Sequence, residues 1–134
     1  MKQILEGLVY LHDNNIIHRD IKGANILVKD NGVVKLADFG LARIIQPEKN
    51  REYTIKVVTM WYRPPELLLG HKKYSKSVDM WSVGVFFVEL FTGKPLFNAS
   101  NELEQLKMIF EFCGSPNETN FTDFNLLEKS VKEM

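Results

Sequence analysis

The stretch His18-Arg19-Asp20-Ile21-Lys22-Gly23-Ala24-Asn25 decides the fold, together with the residues that follow it. Two β-branched runs come next and flank Lys29-Asp30-Asn31-Gly32, in which Asn-Gly is a strong signal for a hairpin turn. We therefore predict a small antiparallel hairpin over residues 25–37. Asp38-Phe39-Gly40 comes directly after it, so the two polar motifs flank the hairpin.

Apolar periodicity predicts helices outside this centre. Residues 1–14 and 101–113 each carry one apolar stripe, as amphipathic helices do. Residues 77–92 are apolar almost all round, which predicts a central, fully buried helix, and a short helix is expected at 66–69. Residues 38–66 show no period, and we interpret them as a long ordered loop, which is usually functional. The predicted fold class is mainly α with a small β-hairpin, α+β overall.

Composition narrows the possible functions. Lys and Arg number 17 and Asp and Glu also number 17 in the 134 residues, so no basic excess is present to hold a nucleic acid. The single cysteine, Cys113, excludes an internal disulfide and a cysteine-built zinc site, and fits a reducing, intracellular compartment. The longest apolar stretch, Val83 to Phe91, is too short to span a bilayer. We therefore expect no nucleic acid partner and no membrane partner.

Three motifs, in their order along the chain, resemble the C-terminal lobe of a eukaryotic protein kinase. They are the 18–25 stretch, Asp38-Phe39-Gly40 and Pro64-Pro65-Glu66. The resemblance covers residues 1–114. It implies the protein kinase-like fold and the transfer of the γ-phosphate of ATP to protein side chains.

Further residues narrow the resemblance. Lys22, two residues after Asp20, is typical of serine/threonine kinases. Residues 59–70, Thr-Met-Trp-Tyr-Arg-Pro-Pro-Glu-Leu-Leu-Leu-Gly, are similar to cyclin-dependent kinases. Pro64 and residues 101–106 resemble the transcriptional branch, which phosphorylates the RNA polymerase II C-terminal repeats. The resemblance thus implies protein substrates, those repeats among the candidates, a cyclin partner in the full-length form, and a nuclear or cytoplasmic location.

The same resemblance implies the catalytic roles. Asp20 would accept or orient the proton of the substrate hydroxyl, and Lys22 would neutralise charge on the transferred phosphate. Thr59 would bridge Asp20 and Lys22. Asn25 and Asp38 would hold Mg²⁺, a hard ion that prefers oxygen ligands.

ATP is the second cofactor that the resemblance implies, with Leu27 as the floor of the adenine pocket. The expected cofactor-binding residues are Lys22, Gly23, Ala24, Asn25, Leu27 and Asp38. Taken alone, Asn25 would be a turn residue and Asp38 a loop cap, while Leu27 is expected to be partly a core residue as well. His18 is expected to be a structural core histidine.

A phosphorylation switch is also implied. Thr54 would be the activating site, and its phosphate would recruit Arg19 and Arg43 and order the loop. By the same resemblance, Arg63 and the pair Val57-Val58 would shape a pocket that prefers proline after the target Ser or Thr.

Two further expectations concern buried carboxyl groups. Asp79 would accept hydrogen bonds from the backbone of the loop at 18–20. Glu66 pairs in the family with an arginine further along the chain, yet no arginine follows Arg63 in this sequence. An unpaired buried carboxylate is costly, or else it takes up a proton.

Some parts of the kinase pattern are not found in this sequence, namely a glycine-rich loop over the phosphates and a Val-Ala-Ile-Lys strand. We therefore expect a partial kinase domain over residues 1–134, truncated at both ends and lacking the small lobe and the last helices. Its catalytic loop would be 18–25 and its activation segment 38–66.

Two functions remain open at this point. The first is a cyclin-dependent protein serine/threonine kinase, of which this chain alone is expected to be inactive. The second is a non-catalytic binding fragment or relic that keeps the substrate-docking face. An unrelated phosphotransferase would need a Gly-x-x-x-x-Gly-Lys loop, and the sequence has none.

Overall fold

The structure is a computed structural model, and it describes residues 1–46, 52–115 and 117. Most of residues 115–134 therefore lie outside the described part of the chain. The elements, in chain order, are α1 (Lys2–Asp13), β1 (Ile16–Ile17), β2 (Ile26–Val28), β3 (Val34–Leu36), β4 (Arg43–Ile44), α2 (Pro65–Leu68), α3 (Ser77–Thr92) and α4 (Glu102–Cys113). Short 3-10 turns lie at Gly23–Asn25 and Met60–Tyr62.

The predicted hairpin is confirmed. Strands β2 and β3 pair antiparallel, with Ile26 opposite Leu36 and Val28 opposite Val34. Gly32 has φ +79° in the connecting turn, a conformation that glycine adopts without a steric cost. Next to the paired strands, the backbone N–H of Ala37 donates to Asn25 O over 2.9 Å. The hydrogen bonding therefore extends to the end of the hairpin where the 18–25 stretch and Asp38-Phe39-Gly40 lie side by side.

A second strand pair was not expected from the sequence. Strand β1 pairs antiparallel with β4, so that Ile16 faces Ile44 and Ile17 faces Arg43. Residues 38–66 are thus not wholly irregular, because β4 and the turn at 60–62 lie within them. A strand of two residues is too short to show a period, and its partner lies far away in sequence. This pair anchors the beginning of the 38–66 segment beside the 18–25 stretch.

The predicted helices are confirmed, with small shifts at their ends. The C-terminus of α3 is closed by Gly93 in the left-handed conformation, φ +69°, with its N–H bonded to Glu89 O over 2.8 Å. The N-terminus of α4 is capped by Asn101, whose side chain accepts a hydrogen bond from the N–H of Glu104.

The expectation that α3 is buried on every side is wrong for the residues that the structure describes. One face of α3 is packed in the core, while Phe87, Leu90 and Phe91 on the other face are exposed, Phe91 by 77%. The buried residues of α3, Val83 and Phe86 among them, lie on the first face. On α4, likewise, Leu103 and Cys113 are exposed although the sequence pattern placed them on the apolar side.

The core lies where α1, β1 and α3 meet. Its members are buried aliphatic and aromatic side chains, among them Ile4, Leu8, Leu11, Ile17, Ile21, Val78, Val83 and Phe86. Because α1 and α3 hold the 18–25 stretch between them, burial of these side chains positions the candidate site. Among the described residues, no helix is both long and apolar enough to cross a membrane.

Candidate active site

Asp20, Lys22 and Thr59 form one connected group. The hydroxyl of Thr59 donates to Asp20 Oδ1 over 2.9 Å, and the backbone N–H of Thr59 approaches the same oxygen at 3.2 Å. Lys22 Nζ lies 2.8 Å from Asp20 Oδ2 and donates to Thr59 Oγ1 over 2.8 Å. The structure therefore brings together three residues that the sequence places up to 39 positions apart.

The surroundings of Asp20 keep it ionised. Burial by itself raises the pKa of the Asp20 carboxyl, but hydrogen bonds from Lys22 and Thr59 and the charge of Lys22 outweigh burial and hold the pKa below its usual value. An ionised carboxylate can accept or orient a proton at neutral pH.

The amide of Asn25 is oriented by Asp20. Asn25 Nδ2 donates to Asp20 O over 2.8 Å and to Asp20 Oδ2 over 2.9 Å. Since both bonds use the amide nitrogen, Asn25 Oδ1 remains an available acceptor, as a cation ligand must be. Asn25 itself is buried.

Asp38 stands at the same end of the hairpin, one residue after the Ala37–Asn25 hydrogen bond. It is exposed and has φ +60°, a conformation uncommon for a residue with a side chain. Its Oδ1 accepts the N–H of Gly40 over 3.1 Å. A carboxylate and an amide oxygen, with phosphate and water oxygens as further ligands, suit Mg²⁺.

The other expected nucleotide-binding residues lie beside this pair. Gly23 and Ala24 form the 3-10 turn that leads from Lys22 to Asn25. Leu27 lies on β2, and its side chain is 55% exposed, so it is not a core residue among the described elements. Its exposed face is available to a flat apolar ligand.

His18 is fully buried, as its interpretation as a core histidine requires. Its Nδ1 accepts the backbone N–H of Asp20 at 3.3 Å, so its Nε2 carries the proton that is donated to Ala37 O over 3.0 Å. His18 thereby links the 18–25 stretch to the residue that precedes Asp38.

Asp79 makes the backbone contacts that the sequence analysis predicted. Its Oδ2 accepts the N–H of His18 over 2.9 Å, and its Oδ1 accepts the N–H of Arg19 over 2.8 Å. Arg19 has φ +66°, so these bonds stabilise a strained backbone. His12 was missed: its Nε2 lies 2.9 Å from Asp79 Oδ2 and orients the carboxylate from α1.

A second group surrounds the expected phosphorylation site. Arg19 is buried, and its Nη1 donates to the hydroxyl of Tyr74 over 2.7 Å, while Tyr74 donates to Thr54 O over 2.7 Å. The side chain of Thr54 is exposed. Tyr74 was missed by the sequence analysis, because a lone tyrosine carries no motif. Arg43 is exposed on β4, and within the described ranges it forms no hydrogen bond with Thr54, although its charge acts on the nearby Tyr74.

The guanidinium of Arg63 forms hydrogen bonds with the backbone carbonyl groups of Val57 and Val58, which precede Thr59. Its Nε lies 3.0 Å from Val57 O and 3.2 Å from Val58 O, and its Nη2 donates to Val58 O over 3.0 Å. Val58 has φ +64°, which is unusual for a β-branched residue. Both carbonyl groups therefore already have a donor.

Glu66 is largely desolvated at the start of α2. Burial raises the pKa of its carboxyl, and a hydrogen bond from its own backbone N–H only partly opposes this. Among the residues that the structure describes, no Lys, Arg or His forms an ion pair with it. This agrees with the absence of an arginine after Arg63 in the sequence.

Comparisons with known proteins agree with this geometry. The protein kinase domain family matches residues 1–134. Cyclin-dependent kinase C-1 of Oryza sativa subsp. japonica is 56% identical over 121 residues, which are 90% of this chain and 23% of that protein. Cyclin-dependent kinase 12 of Caenorhabditis elegans is 53% identical over 126 residues, 94% of this chain and 17% of that protein. The chain therefore spans about a quarter or less of the length of these relatives.

A solved structure shares the fold. The crystal structure of the yeast RNA Pol II CTD kinase CTDK-1 complex superposes with a TM-score of 0.86 and 50% identity, over 90% of this chain and 39% of that chain. The kinase motifs, the kinase-like fold and these sequence matches converge. The chain belongs to the protein kinase family and is a homologue of its cyclin-dependent members.

Proposed function

We propose that this chain carries the catalytic residues of a protein serine/threonine kinase of the cyclin-dependent type. The observation that supports this most directly is the connected group of Asp20, Lys22 and Thr59, with the amide of Asn25 oriented by the same carboxylate. Phosphoryl transfer needs positioned charges and an acceptor for the hydroxyl proton, and this group supplies both.

In this proposal Asp20 orients the Ser or Thr hydroxyl of the substrate and accepts its proton. Thr59 holds one carboxylate oxygen and Lys22 the other, so the carboxylate has a defined orientation before substrate arrives. Lys22 also places a positive charge where the transferred phosphate accumulates negative charge. Positioning of this kind contributes to rate because no reorganisation is needed during the reaction.

ATP and Mg²⁺ are the cofactors that these residues fit. Asn25 Oδ1 and the carboxylate of Asp38 would hold the metal, Gly23 and Ala24 would lie near the phosphates, and Leu27 would contact the adenine. When bound, ATP supplies the phosphoryl group and Mg²⁺ neutralises the charge on the phosphates.

The proposed preference for proline after the target residue follows from Arg63. Because its guanidinium occupies the carbonyl groups of Val57 and Val58, these oxygens are not free to accept an N–H from a bound peptide. Most residues after the target Ser or Thr would leave their N–H unsatisfied there, which is costly when the group is buried. Proline has no backbone N–H, so a proline at this position leaves no donor unsatisfied.

Regulation is proposed to act through residues 38–66 as the activation segment. A phosphate on exposed Thr54 would lie near Arg19, since Tyr74 already connects the Arg19 guanidinium to the Thr54 carbonyl. Arg43 would contribute a second positive charge. The names of the relatives support two further proposals, a cyclin partner and RNA polymerase II C-terminal repeats as substrate. The proposed location is nuclear or cytoplasmic.

The test is a phosphotransfer assay on the protein tagged at its own locus and purified with its bound partners. Transfer from ATP to a Ser-Pro peptide should require Mg²⁺ and should fall about 100-fold or more in Asp20→Asn. Asp30→Asn, in the exposed hairpin turn, is the matched control and should retain activity. Normal transfer by Asp20→Asn would refute the role of Asp20.

We also propose that the 134-residue chain by itself is inactive. The basis is that no glycine-rich loop or Val-Ala-Ile-Lys strand is found in the sequence to cover the nucleotide. Mg²⁺-dependent phosphorylation by the purified chain, abolished in Asp20→Asn, would refute this.

A further inference from the structure

Arg63 has one more partner besides the two valine carbonyl groups. Its Nη1 donates a hydrogen bond of 2.6 Å to Glu102 Oε1, at the first residue of α4. The Arg63 side chain is 14% exposed, so its charge is largely removed from water, whereas the Glu102 side chain is 57% exposed. Within the described part of the chain, Glu102 is the carboxylate that forms an ion pair with it. A largely buried positive charge is destabilising unless a negative group compensates it, so the position of the Arg63 guanidinium depends on Glu102.

The first turn of α4 is capped on both sides of Glu102. Asn101 Oδ1 accepts the N–H of Glu104 over 2.9 Å. Glu104 Oε2 in turn accepts the N–H of Ser100 over 2.8 Å and its hydroxyl over 2.6 Å. Reciprocal capping of this kind defines where a helix begins. It therefore also defines where Glu102 lies.

Two more hydrogen bonds connect the beginning of α4 to the turn that precedes Arg63. Gln105, which is fully buried, donates from Nε2 to Trp61 O over 3.2 Å. Trp61 donates from Nε1 to Ala99 O over 3.0 Å. These hydrogen bonds fix the backbone on which Arg63 and Glu102 stand, which distinguishes this ion pair from a chance contact between two surface side chains.

We infer that Glu102 is a positioning residue for substrate specificity, holding the guanidinium of Arg63 on the carbonyl groups of Val57 and Val58. This inference rests on the proposed kinase function. Without the carboxylate, the guanidinium would gain solvation by turning outward. The two carbonyl oxygens would then be free to accept an N–H, so that residues other than proline would be accepted after the target Ser or Thr.

The test compares a Ser-Pro peptide with a matched Ser-Ala peptide, using the locus-tagged protein with its bound partners. In Glu102→Ala, the ratio of the two kcat/KM values should fall about tenfold, mainly because the Ser-Ala peptide improves. Glu102→Gln should give an intermediate ratio, since it keeps the acceptor oxygen and loses the charge. The control is Glu111→Ala, which breaks an exposed pair with Lys107 on the same helix and should leave the ratio unchanged.

The outcomes separate this inference from the proposed function. If the unmodified protein prefers Ser-Pro and Glu102→Ala keeps that preference, the inference is overturned and the kinase assignment stands. A parallel loss for both peptides would indicate a merely structural role and would also overturn it. If the unmodified protein phosphorylates both peptides equally, the proposed proline preference fails, and an absence of any phosphotransfer overturns the proposed function itself.

Discussion

The carboxylate of Asp79 on α3 accepts the backbone N–H of Arg19 over 2.8 Å, although the two residues lie 60 positions apart. Arg19 precedes Asp20 directly and has φ +66°. The orientation of the candidate catalytic carboxylate therefore depends on a strained residue, which the buried side chain of Asp79 holds in place. This relationship links the stability of the fold to the geometry of the site.

Replacement of Asp79 by Asn should destabilise the protein. One acceptor oxygen becomes an amide donor that faces the backbone N–H groups of His18 and Arg19, so at least one buried donor loses its partner. We expect a loss of about 2–3 kcal/mol in the free energy of unfolding, measured in urea. Asp30→Asn, on the exposed hairpin turn, should change it by less than about 0.5 kcal/mol. Equal stability of the two variants would contradict the structural role of Asp79.

Removal of the Thr59 hydroxyl should slow phosphotransfer. Thr59→Ala loses the bonds to Asp20 and Lys22, so the carboxylate is free to rotate, and we expect kcat to fall about 10- to 100-fold. Thr59→Ser keeps the hydroxyl and should retain most of the rate. Steady-state kinetics with a Ser-Pro peptide test this, and similar rates for the two variants would rule out the positioning role.

The carboxyl of Glu66 should make stability depend on pH. Burial raises its pKa in the folded state, while the unfolded chain keeps an ordinary value near 4.3. Between these two pKa values the folded state binds more protons, so stability falls as the pH rises through this window. Glu66→Gln removes the ionisation, and we expect it to be more stable than the unmodified 134-residue chain at pH 7 and similar at pH 4.

Urea unfolding at both pH values measures this effect. Glu6→Gln, at an exposed position of α1, serves as the control and should behave like the unmodified chain at pH 7. If Glu66→Gln shows no advantage at pH 7, Glu66 has a compensating partner in the folded state.

Removal of the Tyr74 hydroxyl should loosen the contact between Arg19 and the backbone at Thr54. In Tyr74→Phe, the buried guanidinium loses an acceptor and the Thr54 carbonyl loses its donor, with an expected cost of about 1–2 kcal/mol. Thermal unfolding of the purified protein tests this. Tyr10→Phe is the control, since Tyr10 is exposed on α1. A change in Tyr74→Phe no larger than in Tyr10→Phe would contradict the connecting role.

Local sequence signals predicted the elements of the fold well. The almost continuous apolar run at 77–92 was enough to predict α3, and Asn31-Gly32 was enough for the hairpin. The β1–β4 pair could not be predicted in this way, because two residues show no alternation. The exposed face of α3 was also missed. Apolar side chains show only that a helix face is suited to burial. Whether that face is buried depends on which elements pack against it.

The candidate site was predicted from motifs, and its supporting residues were not. Asp20, Lys22 and Thr59 were named from the sequence, and the structure brings them together. Their catalytic roles stay predictions. His12 and Tyr74 were missed because a single histidine or tyrosine, outside any motif, gives no signal of its partner.

By itself, the sequence determined the helices, the hairpin turn and the residue types available for phosphoryl transfer. These properties are local, since they depend on periodicity, capping and turn conformation within a few residues. Only the tertiary structure decided that His12 meets Asp79 across 67 positions and that Glu102 meets Arg63 across 39. Such contacts depend on how helices and turns pack, and packing is a property of the whole core.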